Sequence, residues 1–212
     1  MPRITNPNYD RFLKEGYIQT IEPDDLGKGL DKIQGKYQHQ ARALIIILYY
    51  TGARPNEVVR MTGKHVMKRG NRLILILPGS KRGHSRQFPL SMSRKFVKEV
   101  YDYARSMPPD MLLFHHYGLT YHRQYKKKSG EVVVRQEMGG NLRYVFRKCF
   151  DDVIPGGINP YYLRHNRMTK WMEEDLSPNK ALLARGGKSY DTLMRYAHAS
   201  KKFQDDIVRR TK

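Results

Sequence analysis

The sequence has a single cysteine, Cys149, and no long apolar run. One cysteine excludes an internal disulfide framework and fits a reducing cytosol, so we expect a cytoplasmic protein. The longest apolar run, residues 43–50, is far too short to span a bilayer. The first residues, MPRITNPNYDRF, lack the apolar core of a signal peptide. A membrane partner is therefore not expected.

Acidic residues are also scarce, with 20 Asp and Glu against 40 Lys and Arg, which gives a formal charge of +20. Such a surplus indicates a polyanionic partner, either nucleic acid or an anionic membrane surface. A basic surface that only keeps the protein soluble remains an alternative on charge alone. With membranes disfavoured, a nucleic acid is the expected partner. The 212 residues suffice for one substantial core or two small ones.

No motif for a metal or a nucleotide cofactor is present. The acidic clusters PDD, EED and the two DD pairs lie near predicted helix ends and form no ligand pattern. His115, His116, His122 and Cys149 do not have the spacing of a zinc site. The GGKS segment at 186–189 lacks the first glycine and the preceding strand of a P-loop. We expect no cofactor and no metal.

Periodicity predicts many helices and a small antiparallel sheet, which is an α+β domain. A β-type run over 73–77 and a partner over 86–90 predict a hairpin with Lys81 near its tip. The very basic segment 119–136 predicts either a second hairpin turning at Ser129-Gly130 or a disordered loop. The predicted helices lie within 20–33, 37–52, 55–61, 91–107 (with a serine cap), 141–153, 161–175, 177–185, 189–198 and, in the tail, 200–212.

Four places put an anion-seeking or nucleophilic side chain beside a structural break. They are Arg54 after YYTGA, Lys81 on the hairpin, Arg164 in YYLRHNR, and Tyr196 in SYDTLMRYAH. Taken singly, each has an ordinary explanation: a capping charge, a turn lysine, a basic helix residue and a packed tyrosine. Their order and spacing along the chain change that interpretation.

Together these segments resemble the boxes of the tyrosine recombinase catalytic domain, the phage-integrase family. YYTGARPNEVVRM is similar to the first arginine box, and GSKRGHSRQFPL is similar to the hairpin that carries the family's lysine. YYLRHNRMTKW resembles the second arginine box, and ARGGKSYDTLMRYAH resembles the nucleophile box. The residues in register are Arg54, Glu57, Lys81, Leu163, Arg164, His165, Thr192, Arg195 and Tyr196.

The resemblance implies a mostly helical α+β domain that cleaves and rejoins DNA without metal or ATP. Tyr196 would attack a phosphodiester and form a 3′-phosphotyrosyl intermediate, while Lys81 protonates the leaving 5′ oxygen. Arg54 and Arg164 would bind the non-bridging oxygens, because guanidinium makes planar two-point contacts and stays charged. Glu57 is a supporting residue.

Two positions depart from the family pattern. Tyr161 stands where the family has a histidine three residues before its second arginine, and Gly187 stands where histidine or tryptophan is usual. The neighbouring His165 and Lys188 are candidates for compensation, although they occupy other positions in the register. A domain that binds DNA and no longer cleaves it therefore remains an alternative.

The expected organisation is an N-terminal lead-in at 1–19, the catalytic domain at 20–198, and a tail at 199–212 that is exchanged between protomers. About twenty residues precede the first family-like helix, which fits either an excised catalytic domain or a minimal enzyme. The function that the resemblance implies is site-specific recombination or integration by a homo-oligomer, a tetramer, on double-stranded DNA. DNA relaxation of the type IB topoisomerase kind is a second alternative.

Overall fold

The computed structural model describes residues 20–79, 85–115, 119–154, 157–174, 176–186, 190 and 209. Most elements are helices, and the strands form two small antiparallel sheets. This α+β architecture confirms the predicted fold class. The helices are α1 (Pro23–Asp31), α2 (Gln38–Thr51), α3 (Pro55–Val58), α4 (Val97–Arg105), α5 (Gly140–Cys149), α6 (Pro160–Glu173) and α7 (Pro178–Arg185). The strands are β1 (Val66–Arg69), β2 (Arg72–Leu77), β3 (Arg86–Ser91), β4 (Thr120–Lys126) and β5 (Val132–Met138).

Helix α2 is the centre of the core. Every residue from Ala43 to Thr51 is buried, so the apolar run covers all sides of the helix rather than one stripe. Helices α4 and α6 pack against it. The helix ends at Gly52, which has a left-handed backbone (φ +56°) and donates its N–H to the Leu48 carbonyl. The sequence prediction of a buried helix stopped by Gly52 is confirmed.

The first sheet has the order β1-β2-β3, with both pairs antiparallel. Strand β2 is nearly all buried because its leucines and isoleucines pack on the helical core. The hairpin of β2 and β3 was predicted from sequence, whereas β1 was not. Only Val66 of β1 is buried, and Lys68 and Arg69 are exposed, so this short strand has almost no apolar pattern.

The second sheet is the β4–β5 hairpin, and it confirms the first of the two alternatives for the basic segment. Lys127 donates its N–H to the Glu131 carbonyl (2.8 Å), and Gly130 donates to the Lys127 carbonyl (2.9 Å). Gly130 has a left-handed backbone (φ +86°), as a three-residue hairpin loop requires.

The predicted serine cap of α4 is wrong. The residue that precedes this helix is Phe96, whose φ is +65°, and no side chain caps it. The hydroxyls of Ser91 and Ser93 bond to each other instead (2.7 Å). The aromatic ring of Phe96 packs on the core, which favours this start over a serine-capped one.

A second small cluster joins α6 and α7 to the first sheet. Met168, Trp171 and Ala181 are buried together, and Trp171 stacks on Phe88 of β3 with ring centroids 6.0 Å apart. The end of α7 is thereby held beside β3. None of the described helices is both long and apolar enough to cross a lipid bilayer.

Candidate functional site

Arg54 and Glu57 occupy the start of α3, directly after the turn at Gly52. Arg54 is the residue before the helix, in an extended conformation (φ −71°, ψ 138°), and Pro55 opens the first turn. The Glu57 carboxylate accepts the Arg54 backbone N–H (3.0 Å), as in one half of a capping box. It also accepts from Arg54 Nη1 (2.9 Å). The guanidinium of Arg54 is thus oriented by its own helix, with 35% of its side chain exposed.

Glu57 is almost completely buried, with 1% of its side chain exposed. Its Oε2 atom also accepts a hydrogen bond from Arg86 Nη2 (2.8 Å). Burial raises the pKa of the Glu57 carboxyl, but the hydrogen bond and charge of Arg86, and then the bonds from Arg54, outweigh burial and hold the pKa below its ordinary value. Glu57 is therefore an anion that fixes two arginines.

Arg86 is a candidate site residue that the sequence analysis did not identify. It lies on β3, 29 residues from Glu57 in sequence, and its Nε donates to the Ala184 carbonyl at the end of α7 (3.2 Å). Gly186 also lies against it: a Cβ on Gly186, whose φ is +67°, would lie 2.6 Å from Arg86 Nη1. Arg86 consequently ties the first arginine box to the segment just before Gly187. No local pattern could have indicated a link between such distant segments.

Arg164 approaches the same turn from α6. It is 6% exposed, and its Nη1 donates to the Gly52 carbonyl (2.6 Å), two residues before Arg54. Gly52 is tightly enclosed: a Cβ there would lie 2.9 Å from Met168 Cε and 3.1 Å from Arg167 Cβ. Two arginines that are 110 residues apart in sequence are thus brought to one turn.

The first turn of α6 is set by Asn159, which the sequence analysis did not single out. Its side chain accepts the backbone N–H groups of Tyr161 (2.9 Å) and Tyr162 (3.2 Å), and Pro160 follows. An Asn-Pro pair before a helical pattern is a recognisable start signal. Tyr161 is 42% exposed, one turn before Arg164 on the same helix side, and His165 is half-buried.

Arg167 is a further buried arginine beside Gly52, 6% exposed. Its guanidinium pairs with Glu174 (3.0 Å) and lies over the Trp171 ring, 5.3 Å from the centroid. Burial lowers the pKa of Arg167, and the charge of Glu174 opposes that shift. Its position three residues after Arg164 is the one signal that could have identified it from sequence.

Four of the predicted site residues, Lys81, Gly187, Lys188 and Tyr196, lie outside the described residues. Strands β2 and β3, which flank Lys81, end at the Leu77–Arg86 pair, and Arg86 contacts Glu57. Gly186, the last described residue before Gly187, lies against Arg86. Across the described ranges, no group of three or more His, Cys, Asp or Glu side chains could hold a metal ion.

The arrangement favours binding of an oxyanion. Three arginines from different elements contact the segment 52–57: Arg54, Arg86 and Arg164. The one buried carboxylate of that segment is Glu57. Positive charge exceeds negative charge there, and a partly desolvated guanidinium binds phosphate with two parallel hydrogen bonds. Such preorganised donors also stabilise negative charge that develops on phosphate oxygens during a reaction.

Comparison with known proteins gives a family and a fold. Residues 19–202 match the phage integrase family. A search of the curated proteins finds no match. Among solved structures, the chain resembles XerH site-specific recombinase bound to its difH substrate, with 18% identity and a TM-score of 0.63 over 86% of this chain and 50% of XerH.

Two further structures resemble the chain. XerA recombinase is 16% identical with a TM-score of 0.61, over 92% of this chain and 64% of XerA. The catalytic domain of bacteriophage HP1 integrase is 18% identical with a TM-score of 0.50, over 90% of this chain and 93% of that domain. The chain spans about half the length of XerH. Because the family match covers most of its residues, the chain belongs to the phage integrase family.

Proposed function

We propose that the protein is a site-specific tyrosine recombinase, which cleaves and rejoins double-stranded DNA through a 3′-phosphotyrosyl intermediate at Tyr196. The observation that carries the proposal is the convergence of Arg54 and Arg164 on the Gly52–Arg54 turn, with Glu57 buried beside it. The family match and the charge of +20 support the same substrate.

The roles follow from the chemistry of a phosphodiester. The Tyr196 hydroxyl gives its proton to solvent, its oxygen forms a bond to phosphorus, and the bond from phosphorus to the 5′ oxygen breaks. Arg54 and Arg164 stabilise the charge on the non-bridging oxygens, and Glu57 and Arg86 hold Arg54 in place. Lys81 gives the departing 5′ oxygen its proton. Rejoining is the reverse attack by a 5′ hydroxyl, so the phosphotyrosyl bond conserves the energy and no ATP is needed.

The test traps the intermediate. The full chain is mixed with a pool of nicked duplexes of randomised sequence, in which the short cleaved strand diffuses away and rejoining cannot occur. We expect a protein–DNA adduct that survives denaturing electrophoresis, and we expect Tyr196→Phe to form none while its DNA affinity stays the same. If Tyr196→Phe still forms an adduct, another tyrosine is the nucleophile, such as Tyr161 or Tyr190.

The same experiment separates the alternatives. Tight DNA binding by the parent chain without any adduct would contradict the recombinase proposal and favour a DNA-binding protein that has lost cleavage. An adduct together with relaxation of supercoiled plasmid, but without strand exchange between two recovered target sites, would favour an activity of the topoisomerase kind.

We further propose that the active form is a homo-tetramer on DNA and that the tail at 199–212 packs on a neighbouring protomer. The tail sequence SKKFQDDIVRRTK contains an apolar stripe of Phe203, Ile207 and Val208 at helical spacing. Deletion of 200–212 should reduce the higher-order DNA complex in sedimentation more than it reduces single-site binding. Intact assembly with a lowered melting temperature would instead place the tail on its own domain.

A further inference from the structure

The β4–β5 hairpin carries a cluster of positive charge that the catalytic roles do not use. Residues 120–138 contain five Lys and Arg against two Glu. The strands pair over seven residues, so the arm is about 23 Å long at roughly 3.3 Å per residue. Its loop and most of its outer half are exposed.

The base of the arm is attached to the first arginine box. The Met138 backbone N–H donates to Asn56 Oδ1 (3.1 Å), and Arg60 Nε donates to the Gln136 carbonyl (3.2 Å). Gln136 is 5% exposed, and its amide donates to Thr120 Oγ1 (2.6 Å). The two partly buried contacts with Asn56 and Arg60 thus hold the hairpin beside α3, the helix that begins after Arg54.

One face of the hairpin places two arginines directly opposite each other. Arg123 and Arg135 are cross-strand partners, and their guanidinium carbons lie 5.2 Å and 5.6 Å from the ring centroid of Tyr125. Like charges in this position destabilise a strand pair. The contacts of both guanidiniums with the Tyr125 ring offset part of this repulsion, and a bound anion would offset the rest.

The acids of the hairpin neutralise this pair only in part. Glu137 accepts hydrogen bonds from the hydroxyls of Tyr121 and Tyr125, and it comes only within 3.9 Å of Arg123. Glu131 pairs with Lys127 in the loop (2.7 Å). Within the described part of the chain, no carboxylate forms an ion pair with Arg135. The face therefore keeps a net positive charge, with both guanidiniums beside the Tyr125 ring.

We propose that the hairpin face of Arg123, Tyr125 and Arg135 binds the phosphate backbone of duplex DNA beside the cleavage site. The proposal rests on the proposed function, because it assigns part of the DNA contact that function requires. Both arginines lie three residues from the hairpin base, about 10 Å from the Asn56 contact at roughly 3.3 Å per residue. A duplex bound at Arg54 extends over this distance, and its phosphates complement the two cations beside the Tyr125 ring.

The experiment uses the full chain and a matched control. Arg123→Gln with Arg135→Gln removes the opposed pair. Arg69→Gln with Arg72→Gln removes another directly opposed and exposed arginine pair, at the turn of β1 and β2. That turn is at the far end of β2 from the Leu77–Arg86 pair, about 17 Å away at 3.3 Å per residue. Both double variants lower the net charge equally.

Fluorescence anisotropy with a labelled duplex measures the dissociation constant across a series of salt concentrations. Loss of two phosphate contacts should weaken binding on the order of tenfold at physiological salt and reduce the slope of log affinity against log salt by about two. The control pair should change neither quantity by as much. The melting temperature of the hairpin variant should stay close to that of the parent, because the lost repulsion offsets the loss of the two contacts with the Tyr125 ring.

Any of the following outcomes would overturn the proposal. Equal losses in both double variants would show that only total charge matters. An unchanged affinity in the hairpin variant, or a change only in self-association, would refute the hairpin contact while leaving the recombinase proposal intact. A parent chain that binds no duplex at all would refute both proposals together.

Discussion

The substitution Glu57→Gln tests whether the buried carboxylate organises the site. The carboxylate accepts three hydrogen bonds, from the Arg54 backbone, Arg54 Nη1 and Arg86 Nη2. Glutamine keeps the shape, but its NH₂ group replaces one accepting oxygen. At least one of these bonds is lost, and the two guanidiniums lose the anion that they share.

The expected cost can be worked out from burial. Breaking a buried ion pair by removing one partner costs roughly 3–5 kcal/mol. Because Arg54 is 35% exposed, solvent compensates part of its loss, and the lower end, about 3 kcal/mol, applies. For a chain of this size we expect the melting temperature to fall by roughly 6–12 °C. Cleavage should also slow, because Arg54 is no longer oriented.

The loss should depend on pH with a definite sign. The folded-state pKa of Glu57 is lowered, so its contribution to stability is present above the unfolded-state value of about 4.3 and disappears as the pH falls through the folded value. The difference in free energy of unfolding between parent and Glu57→Gln should be constant from neutral pH to about pH 5 and shrink below about pH 4. Chemical denaturation at several pH values measures it.

Glu99→Gln is the matched control. Glu99 also makes a two-point contact with an arginine, Arg42 (2.9 Å and 3.0 Å), but 40% of its side chain is exposed. An exposed pair of this kind contributes less than about 1 kcal/mol. If Glu57→Gln costs no more than Glu99→Gln, or if its cost is the same at acid and neutral pH, the reasoning about the buried anion is wrong.

Three further predictions concern the site. Arg164→Lys should slow single-turnover cleavage on the order of a hundredfold or more, because lysine cannot donate to the Gly52 carbonyl and bind phosphate in one plane. Near-normal rates would show that Arg164 has only a structural role. Lys81→Ala should be slow on ordinary DNA and recover on DNA with a 5′-bridging phosphorothiolate, whose sulfur leaves without a proton; an equal defect on both substrates would exclude Lys81 as the acid. Gly52→Ala should lower the free energy of unfolding by about 1–2 kcal/mol from the strain of a left-handed backbone alone. The 2.9 Å approach of the new Cβ to Met168 Cε should lower it further, and denaturant titration measures the total. An unchanged free energy of unfolding would contradict the tight packing at Gly52.

Local signals in the sequence predicted most of the helices and the first hairpin, and they gave the second hairpin as one of two alternatives. The apolar run before Gly52 is too continuous for a surface helix, and Gly52 itself takes the left-handed backbone that ends the helix. Gly130 similarly marks the hairpin loop. Such features depend on a few neighbouring residues, so they can be recognised without knowledge of the fold.

Elements with weak local signals were missed or misplaced. Strand β1 exists because β2 offers it hydrogen-bonding groups, not because Val66 to Arg69 prefer extended structure. Helix α4 starts after Phe96 because the ring packs on the core, which outweighs a serine cap. In both cases tertiary contacts overrode the local preference.

Sequence order was enough to nominate Arg54, Glu57 and Arg164 as members of one site, because the resemblance supplied their grouping. How they are held together depended on contacts between distant segments. Arg86 bonds to Glu57 and to the end of α7, and Arg164 bonds to the Gly52 carbonyl. The reason is physical, because a hydrogen bond depends on the distance and direction between two groups in space. For partners that are 29 or 112 residues apart in sequence, no periodic pattern in the sequence indicates that distance or direction. Residue types and order therefore determined the chemistry that we propose for the chain, while folding alone decided which cations share the buried carboxylate.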